Sequence, residues 1–270
     1  MTSLFSKFFP TPKYLTRPAV GLDISDQSIK FIGLERQPGR LAVAQYGEKS
    51  LGGGIIESGL IKDSPALIAA LVGLKKEFNL SDVMVSLPEE EAYVVRLTLP
   101  YLKPNELRGS IELQLEEHIP LSAEEVVFDY EILSAPVNEQ GEYDVSVSVF
   151  PKNIVVTYTA ALAAAELTPL ALEIEAQGIA RSIIRSGDKC LSMIVDFGKT
   201  RSSFFIARDS AVLFTTTVDH LGGEDLTKAV QKNLNLGYAE AEKLKVEKGL
   251  LGGQTNKELF FALLPLVSIL

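Results

Sequence analysis

The chain has 270 residues, 46% hydrophobic and 23% charged, with 26 basic against 35 acidic side chains and a formal net charge of −9. Such a composition buries a sizeable core and excludes general disorder; the acidic balance excludes broad binding to nucleic acid, which needs a basic footprint on the phosphates. The single cysteine, Cys190, excludes a disulfide framework within the chain, and two isolated histidines, His118 and His220, are too few for a histidine metal centre.

No run reaches the roughly 18–20 apolar residues that span a bilayer. The apolar stretch from Glu258 to Leu270 is too short and contains Pro265, and Pro10 and Pro12 break any secretory signal. The first 22 residues hold Lys7, Lys13 and Arg17 but no acid, with Phe5, Phe8, Phe9 and Tyr14 among them. That pairing suits an anionic membrane surface; the preferred reading is a frayed leader before the first strand.

In chain order, Val20–Ile24 reads as a strand, Ser25-Asp26-Gln27 as a turn, and Ile29–Leu34 and Leu41–Tyr46 as strands around a Pro38-Gly39 turn. Gly52-Gly53-Gly54 opens a loop. Ser64 caps a helix that carries Pro65 at its first position and runs to about Phe78, with Leu67, Ile68, Leu71 and Leu74 on one face. Val83–Leu87 is a buried strand. From about Pro88 the pattern changes to a separate α+β insert. Glu89-Glu90-Glu91 reads as a solvated loop, Tyr93–Leu97 as a strand, and Pro104–Glu117 as a helix with Leu107, Ile111 and Leu115 in register. Two strands follow, 126–133 and 143–150, and then an alanine-rich helix from Asn153 to Leu167. His118, at a helix end, reads as a partner of the helix dipole.

From Leu170 the first pattern resumes. Leu170–Ile174 is a strand and Ala176–Arg185 a helix; 193–197, 203–207 and 212–218 are strands; Gly222-Gly223 opens a helix, Tyr238–Lys248 is another, and Asn256 begins the last. Cys190 reads as a small buried hydrophobe, and His220, beside the glycine turn, as structural. The expected organisation is a leader (1–19), a first lobe (20–87), the insert (88–166), a connecting strand and helix (167–191) and a second lobe (192–270).

The strand–turn–strand unit near the start recurs near residue 192. In Gly21-Leu22-Asp23-Ile24-Ser25 and again in Val195-Asp196-Phe197-Gly198-Lys199-Thr200, an Asp closes an apolar strand and a hairpin of small or hydroxyl residues follows. Such a hairpin presents N–H groups and hydroxyls to an anion, and the Asp can hold the waters of a hydrated Mg2+. One such unit is a weak signal, because Asp before a turn is common; the pair, spaced by a domain, is a stronger one.

The pair resembles the two phosphate motifs of the actin-like ATPase superfamily. The full set narrows the resemblance: Gly21 to Ser25 with Ser28 and Lys30, Leu172–Glu175 leading to Arg181, Val195–Thr200, and Leu221-Gly222-Gly223-Glu224-Asp225. It is similar to PilM, the cytoplasmic actin-like family of type IV pilus assembly, which is itself FtsA-like. The resemblance implies an α/β fold of two ribonuclease H-like lobes with an FtsA/PilM-type insert, and ATP with Mg2+ as cofactors. It implies a first phosphate loop of Asp23, Ser25, Ser28 and Lys30, in which Ser25 stands where the family usually has Gly, and a second of Asp196, Gly198, Lys199 and Thr200. Asp23 and Asp196 would hold the metal through water. Glu175 would orient an attacking water; an acid favoured by the helix dipole is an equal reading. Gly222 and Gly223 would let the backbone approach the nucleotide, and Glu242 and Lys245 would touch ribose and base. Taken alone, these read as an ordinary glycine turn and a solvated i,i+3 pair.

By the same resemblance, the chain is a nucleotide-binding scaffold with slow turnover or none, peripheral to the inner membrane. It grips the short cytoplasmic N-terminal peptide of a PilN-like membrane partner in a groove around the insert and the first lobe, with a homo-oligomer open as a further state. An FtsA-like filament-forming division protein and a sugar-kinase-like phosphotransferase are the alternatives. Relatives are longer after a last helix like the one at Asn256, so the chain is expected to stop inside that helix with the adenosine pocket unfinished.

Overall fold

The structure is a computed structural model, and it describes residues 19–37, 39–138, 140–185, 187–249 and 257–268. The leader reading and the start of the last helix at Asn256 lie outside the described residues. The described residues divide into two compact units, one within Met1–Asp188 and Asp209–Leu213, the other within Lys189–Arg208 and Phe214–Leu270.

The first unit is built on a five-stranded sheet in the order β10-β6-β1-β2-β3. Its strands are β1 (Ala19–Ile24), β2 (Ser28–Gln37), β3 (Arg40–Ser50), β6 (Asp82–Leu87) and β10 (Thr168–Ile174). The first three form an antiparallel meander, and β6 then runs parallel to both β1 and β10. Alternation in β1 and β2 sends Leu22, Ile24, Ile29 and Phe31 to one face, where all are buried. Helix α1 (Ser64–Phe78) contributes Leu67, Leu71 and Leu74 to the core, each fully buried, as the i, i+4, i+7 spacing dictates. Its last residue, Phe78, packs its ring at 4.7 Å, tilted by 58°, against Phe31 of β2. Gly47 of β3 makes room for that pair, since a Cβ there would lie 2.6 Å from the Phe31 ring.

The insert has a sheet of its own, ordered β7-β9-β8, with β7 spanning Tyr93–Pro100, β8 Val126–Ser134 and β9 Glu142–Pro151. Helix α2 (Pro104–Leu115) packs Leu107, Ile111 and Leu115 against Leu97, Leu99, Val145, Val147 and Val149. Helix α3 (Lys152–Ala164) follows β9 directly, and α4 (Glu175–Ile183) follows β10. Strands β11 (Ser192–Phe197), β12 (Arg201–Arg208) and β13 (Ala211–Asp219) form a further sheet in chain order. Helices α5 (Gly223–Leu234), α6 (Tyr238–Lys248) and α7 (Lys257–Val267) meet around Val230, Ala241, Leu259 and Leu263.

The α/β class and the element order match the sequence reading, with local corrections. Asp63, not Ser64, caps α1: its carboxylate accepts the Ala66 N–H at 3.0 Å. Helix α3 starts at Lys152 without a side-chain cap, because Pro151 (φ −56°) turns the chain into the helix and has no N–H to satisfy. It ends at Ala164 rather than Leu167, where Glu166 in the left-handed region (φ +55°) lets Leu167 N–H close on the Leu162 carbonyl. Helix α4 likewise stops at Ile183, two residues early. A short hairpin, β4 (Ile56–Glu57) and β5 (Leu60–Ile61), was not foreseen. Its Ser58-Gly59 turn has φ +50° and +75°, the two positive values that such a hairpin needs. Cys190 is exposed, not buried.

Candidate functional site

The two units repeat one device. β1 and β2 are joined by residues 25–27, and β11 and β12 by residues 198–200. Each hairpin is antiparallel, and each is closed by one bond of the same offset: Ser25 N–H to Ser28 O at 3.0 Å, and Gly198 N–H to Arg201 O at 2.9 Å. Asp23 faces Lys30 across the first pair of strands, and Asp196 faces Ser203 across the second. Ser25 and Gly198 are therefore equivalent positions.

The substitution of Ser at this position changes what the first hairpin offers. A Cβ at Gly198 would lie 2.8 Å from Arg201 O, so glycine closes the second hairpin tightly. Ser25 accommodates its side chain by turning Oγ back to donate to Ser28 O at 3.0 Å. Both donors of Ser25 are thereby spent on one carbonyl, and Ser28 itself is buried. The outward-facing groups of this hairpin are Asp23, half-buried, and Lys30, exposed. Asp26, one residue on, accepts the N–H groups of Ser58 and Gly59 at 3.1 and 3.0 Å, which fastens the hairpin to the β4–β5 turn. The hydroxyl of Tyr158 on α3 donates to Gly59 O at 2.9 Å from the other side. Burial, with the charges of Asp26, Glu91 and Asp23 added, pushes the Tyr158 phenol well above its ordinary value. In the sequence Asp26 reads only as a turn residue, because the turn it clamps is more than thirty residues away.

The second hairpin is seated differently. Its carbonyls reach the start of α5: Gly223 N–H donates to Gly198 O at 3.0 Å and Glu224 N–H to Lys199 O at 2.7 Å. Gly222 makes the approach possible, because a Cβ there would stand 2.6 Å from Lys199 O and from the Thr200 carbonyl carbon. Ser202 Oγ ties the base of the hairpin to Leu221 O. The N–H of Gly222 donates to Asp225 Oδ2 at 3.0 Å. So the glycine pair receives the hairpin, and three amides at this helix start are engaged. Among the described residues, neither the Lys199 nor the Thr200 N–H donates to a backbone carbonyl.

Glu242 and Lys245 on α6 complete this arrangement. Lys245 Nζ donates to Gly223 O at 2.7 Å and to Thr227 Oγ1 at 2.8 Å, and pairs with Glu242 Oε2 at 2.8 Å. Thr227 Oγ1 also contacts Glu242 Oε2. Hydrogen bonds from Lys245 and Thr227, with the charges of Lys245 and Lys199, hold the Glu242 carboxyl below its ordinary value. The solvated i,i+3 pair is thus a half-buried latch of α6 onto the first turn of α5.

Glu175 is the first residue of α4. The helix has no side-chain cap of its own; Glu89 supplies one, its Oε2 accepting the Ala176 N–H at 3.0 Å. This corrects the reading of Glu89-Glu90-Glu91 as a solvated loop: the segment is a 3-10 turn, and Glu89 is 4% exposed because the open end of α4 recruits its carboxylate.

The donor set suits a phosphate group in the second unit. The Lys199 and Thr200 N–H groups, the exposed Lys199 ammonium and the Asp196 carboxylate cluster on one hairpin. In the first unit the equivalent positions are Asp26 and Gln27, beside the Asp23 carboxylate and the exposed Lys30 ammonium, and the Ser25 hydroxyl adds no donor because Ser28 O engages it. Among the described residues there is no group of three His, Cys, Asp or Glu side chains that would bind a bare metal ion.

The model of one protein family, type IV pilus assembly protein PilM, matches residues 21–261. This chain belongs to the PilM family. A solved PilM-PilN type IV pilus biogenesis complex contains a chain that is 21% identical, with a TM-score of 0.76 over 93% of this chain and 74% of that one. The ethanolamine utilization protein EutJ of Carboxydothermus hydrogenoformans is 16% identical, with a TM-score of 0.52 over 96% and 69%. The cytoplasmic domain of EpsL, an inner membrane component of the type II secretion system of Vibrio cholerae, is 14% identical, with a TM-score of 0.52 over 78% and 75%. These likenesses establish the fold, which is the actin-like α/β class with its insert. No helix among the described residues is long and apolar enough to cross a membrane.

Proposed function

We propose that this PilM-family protein is a nucleotide-dependent scaffold of type IV pilus assembly. It captures the cytoplasmic N-terminal peptide of a PilN-like inner-membrane protein and so sits at the inner face of that membrane. The observation that carries the peptide reading is a cavity of about 580 Å3 in the first unit. Strand β8 of the insert and the edge strand β10 of the five-stranded sheet border it. Its floor is apolar, with Met84, Leu87, Phe128 and Phe150, and its rim carries Glu131 and Arg181. The Arg181–Glu173 ion pair (2.6 Å) and the bond from Gln177 to Ser148 Oγ (2.8 Å) give that rim fixed polar groups. An apolar trough between two strand edges, with a few ordered polar groups, is the form in which extended peptides are captured.

ATP with Mg2+ is the proposed cofactor. Asp196, Lys199 and Thr200 would hold phosphate and the metal's water shell on the hairpin of the second unit; Asp23 and Lys30 are the corresponding charged groups on the hairpin of the first. The bound cofactor would supply a triphosphate whose presence or hydrolysis reports the state of the protein. The engaged donors of Ser25, and Glu175 sitting where a helix start favours an acid, support slow turnover or none.

Calorimetry tests both halves. Mg-ATP binds the protein, and D196A weakens it. A synthetic peptide from the N-terminus of the pilus partner binds, and Phe128→Glu in the cavity abolishes that binding. Unchanged ATP affinity in D196A refutes the nucleotide assignment; unchanged peptide affinity in F128E refutes the groove. Phosphate release faster than about 1 per second, an ordinary enzyme rate, refutes the scaffold reading.

A further inference from the structure

The cavity bordered by β8 and β10 carries unbalanced charge. Asp129, Glu131, Glu173 and Arg181 are the charged side chains that line it. Its cation is spent, because Arg181 Nη2 meets Glu173 Oε1 at 2.6 Å. Two carboxylates remain. Asp129 and Glu131 are both exposed, and among the described residues neither forms an ion pair.

Strand geometry sets these two carboxylates side by side. Phe128 and Tyr130 of β8 turn to the core of the insert, so Val127, Asp129 and Glu131 share the opposite face. Asp129 and Glu131 stand about 7 Å apart along that face. Asp129 Oδ1 accepts the Tyr130 N–H at 2.9 Å, which fixes its carboxylate. Opposite the pair on β9 are Ser148 and Ser146, both uncharged. Ser148 Oγ is held by Gln177, and Ser146 Oγ donates to Val212 O. Beyond them on β7, opposite Ser146, lies Arg96, whose guanidinium is bidentate on Asp144 at 2.8 and 2.6 Å. The sheet therefore supplies no counter-charge to Asp129 and Glu131.

We propose that the cavity selects a peptide carrying a lysine or arginine beside its apolar anchor, and that Asp129 and Glu131 are the residues that determine this specificity. The inference rests on the peptide reading of the cavity. An ammonium or guanidinium placed midway between the two carboxylates is within reach of both. Val127, 43% exposed on the same face, covers the aliphatic stem that carries the charge. An acidic segment meets the same two carboxylates and a guanidinium already committed to Glu173, so the pair also rejects the wrong partner. The net charge of −9 draws a cationic peptide in at long range, and the charges in the cavity fix its register.

Calorimetry on the full chain tests it with two N-acetylated synthetic peptides. One copies the N-terminus of the pilus partner; the other is the same peptide with its Lys and Arg replaced by Gln. The expected result is that the Gln copy binds about tenfold more weakly, and that added salt narrows the gap. Glu131→Gln is expected to weaken the native peptide by about fivefold and to leave the Gln copy unchanged. Glu112→Gln on α2, which changes the net charge by the same amount outside the cavity, leaves both affinities within about twofold. Equal binding of the two copies, with F128E abolishing both, overturns the inference and leaves the peptide reading standing. An E131Q variant that weakens both copies equally overturns it as well, because the residue is then structural. Binding of neither copy removes the peptide reading and the inference with it.

Discussion

Replacing Gly222 by Ala tests whether the glycine turn exists to receive the second hairpin. Gly222 has φ −133° and ψ 178°, extended backbone that alanine adopts freely, so the effect is steric. The new Cβ would lie 2.6 Å from Lys199 O, 2.6 Å from Thr200 C and 2.7 Å from Arg201 N, all backbone atoms that cannot swing aside. Restoring an ordinary contact of 3.4 Å from 2.6 Å requires the hairpin to retreat by 0.8 Å. That stretches the Gly223–Gly198 and Glu224–Lys199 bonds, now 3.0 and 2.7 Å, to the limit of bonding or past it. Two bonds at about 1 kcal/mol each, with an overpacking cost of about 1–3 kcal/mol, put the loss at about 3–5 kcal/mol. Hydrogen exchange of the α5 start and the 198–201 segment, read beside urea unfolding by circular dichroism, measures it locally and globally. Gly73→Ala in the middle of α1, where a Cβ meets nothing within 4 Å, is the control and is expected to stabilise by about 0.5–1 kcal/mol. G222A within about 0.5 kcal/mol of the natural chain refutes the reasoning.

Glu89→Ala removes the carboxylate that caps α4 and leaves the buried Ala176 N–H without it, for a loss of about 1–3 kcal/mol and faster exchange over Glu175–Ile183; unchanged exchange there refutes the cap. Tyr158→Phe deletes the bond to Gly59 O and costs about 1–2 kcal/mol near neutrality. The raised phenol of Tyr158 also makes stability pH-dependent: its contribution is complete below pH 10, the value for the unfolded chain, and falls as pH rises toward the folded value. Y158F is therefore expected to lose less stability above pH 10 than the natural chain, and parallel pH profiles refute this. Glu242 works in the opposite direction: its lowered carboxyl contributes above pH 4.5, and the contribution disappears as pH falls through the folded value. E242Q should flatten the acid limb of unfolding in the second unit, and an unchanged limb counts against the latch.

The hydrophobic patterns made most elements readable. The i, i+4, i+7 leucines of α1 and the alternation of β1 and β2 each leave one way to bury an apolar face. The repeated strand–Asp–hairpin was equally plain, because closing a tight hairpin restricts which residues stand at its ends. What remained hidden depended on distant partners. Glu89 looked solvated among three acids until the uncapped start of α4 claimed it across 87 residues. Asp26 looked like a turn residue until it met Ser58 and Gly59. Glu242 and Lys245 looked like a surface pair until Thr227 and Gly223 closed around them.

By itself, then, the sequence determined the class of fold, the two equivalent hairpins and the family. These rest on local periodicity and on residue types at fixed spacing, which chain chemistry imposes before any packing occurs. The tertiary structure decided which donors are already spent. Ser25 turns its hydroxyl back on its own hairpin, and the amides of Gly223 and Glu224 hold the second hairpin in place. A donor's availability depends on what lies within 3 Å of it, and only the folded chain brings those atoms together.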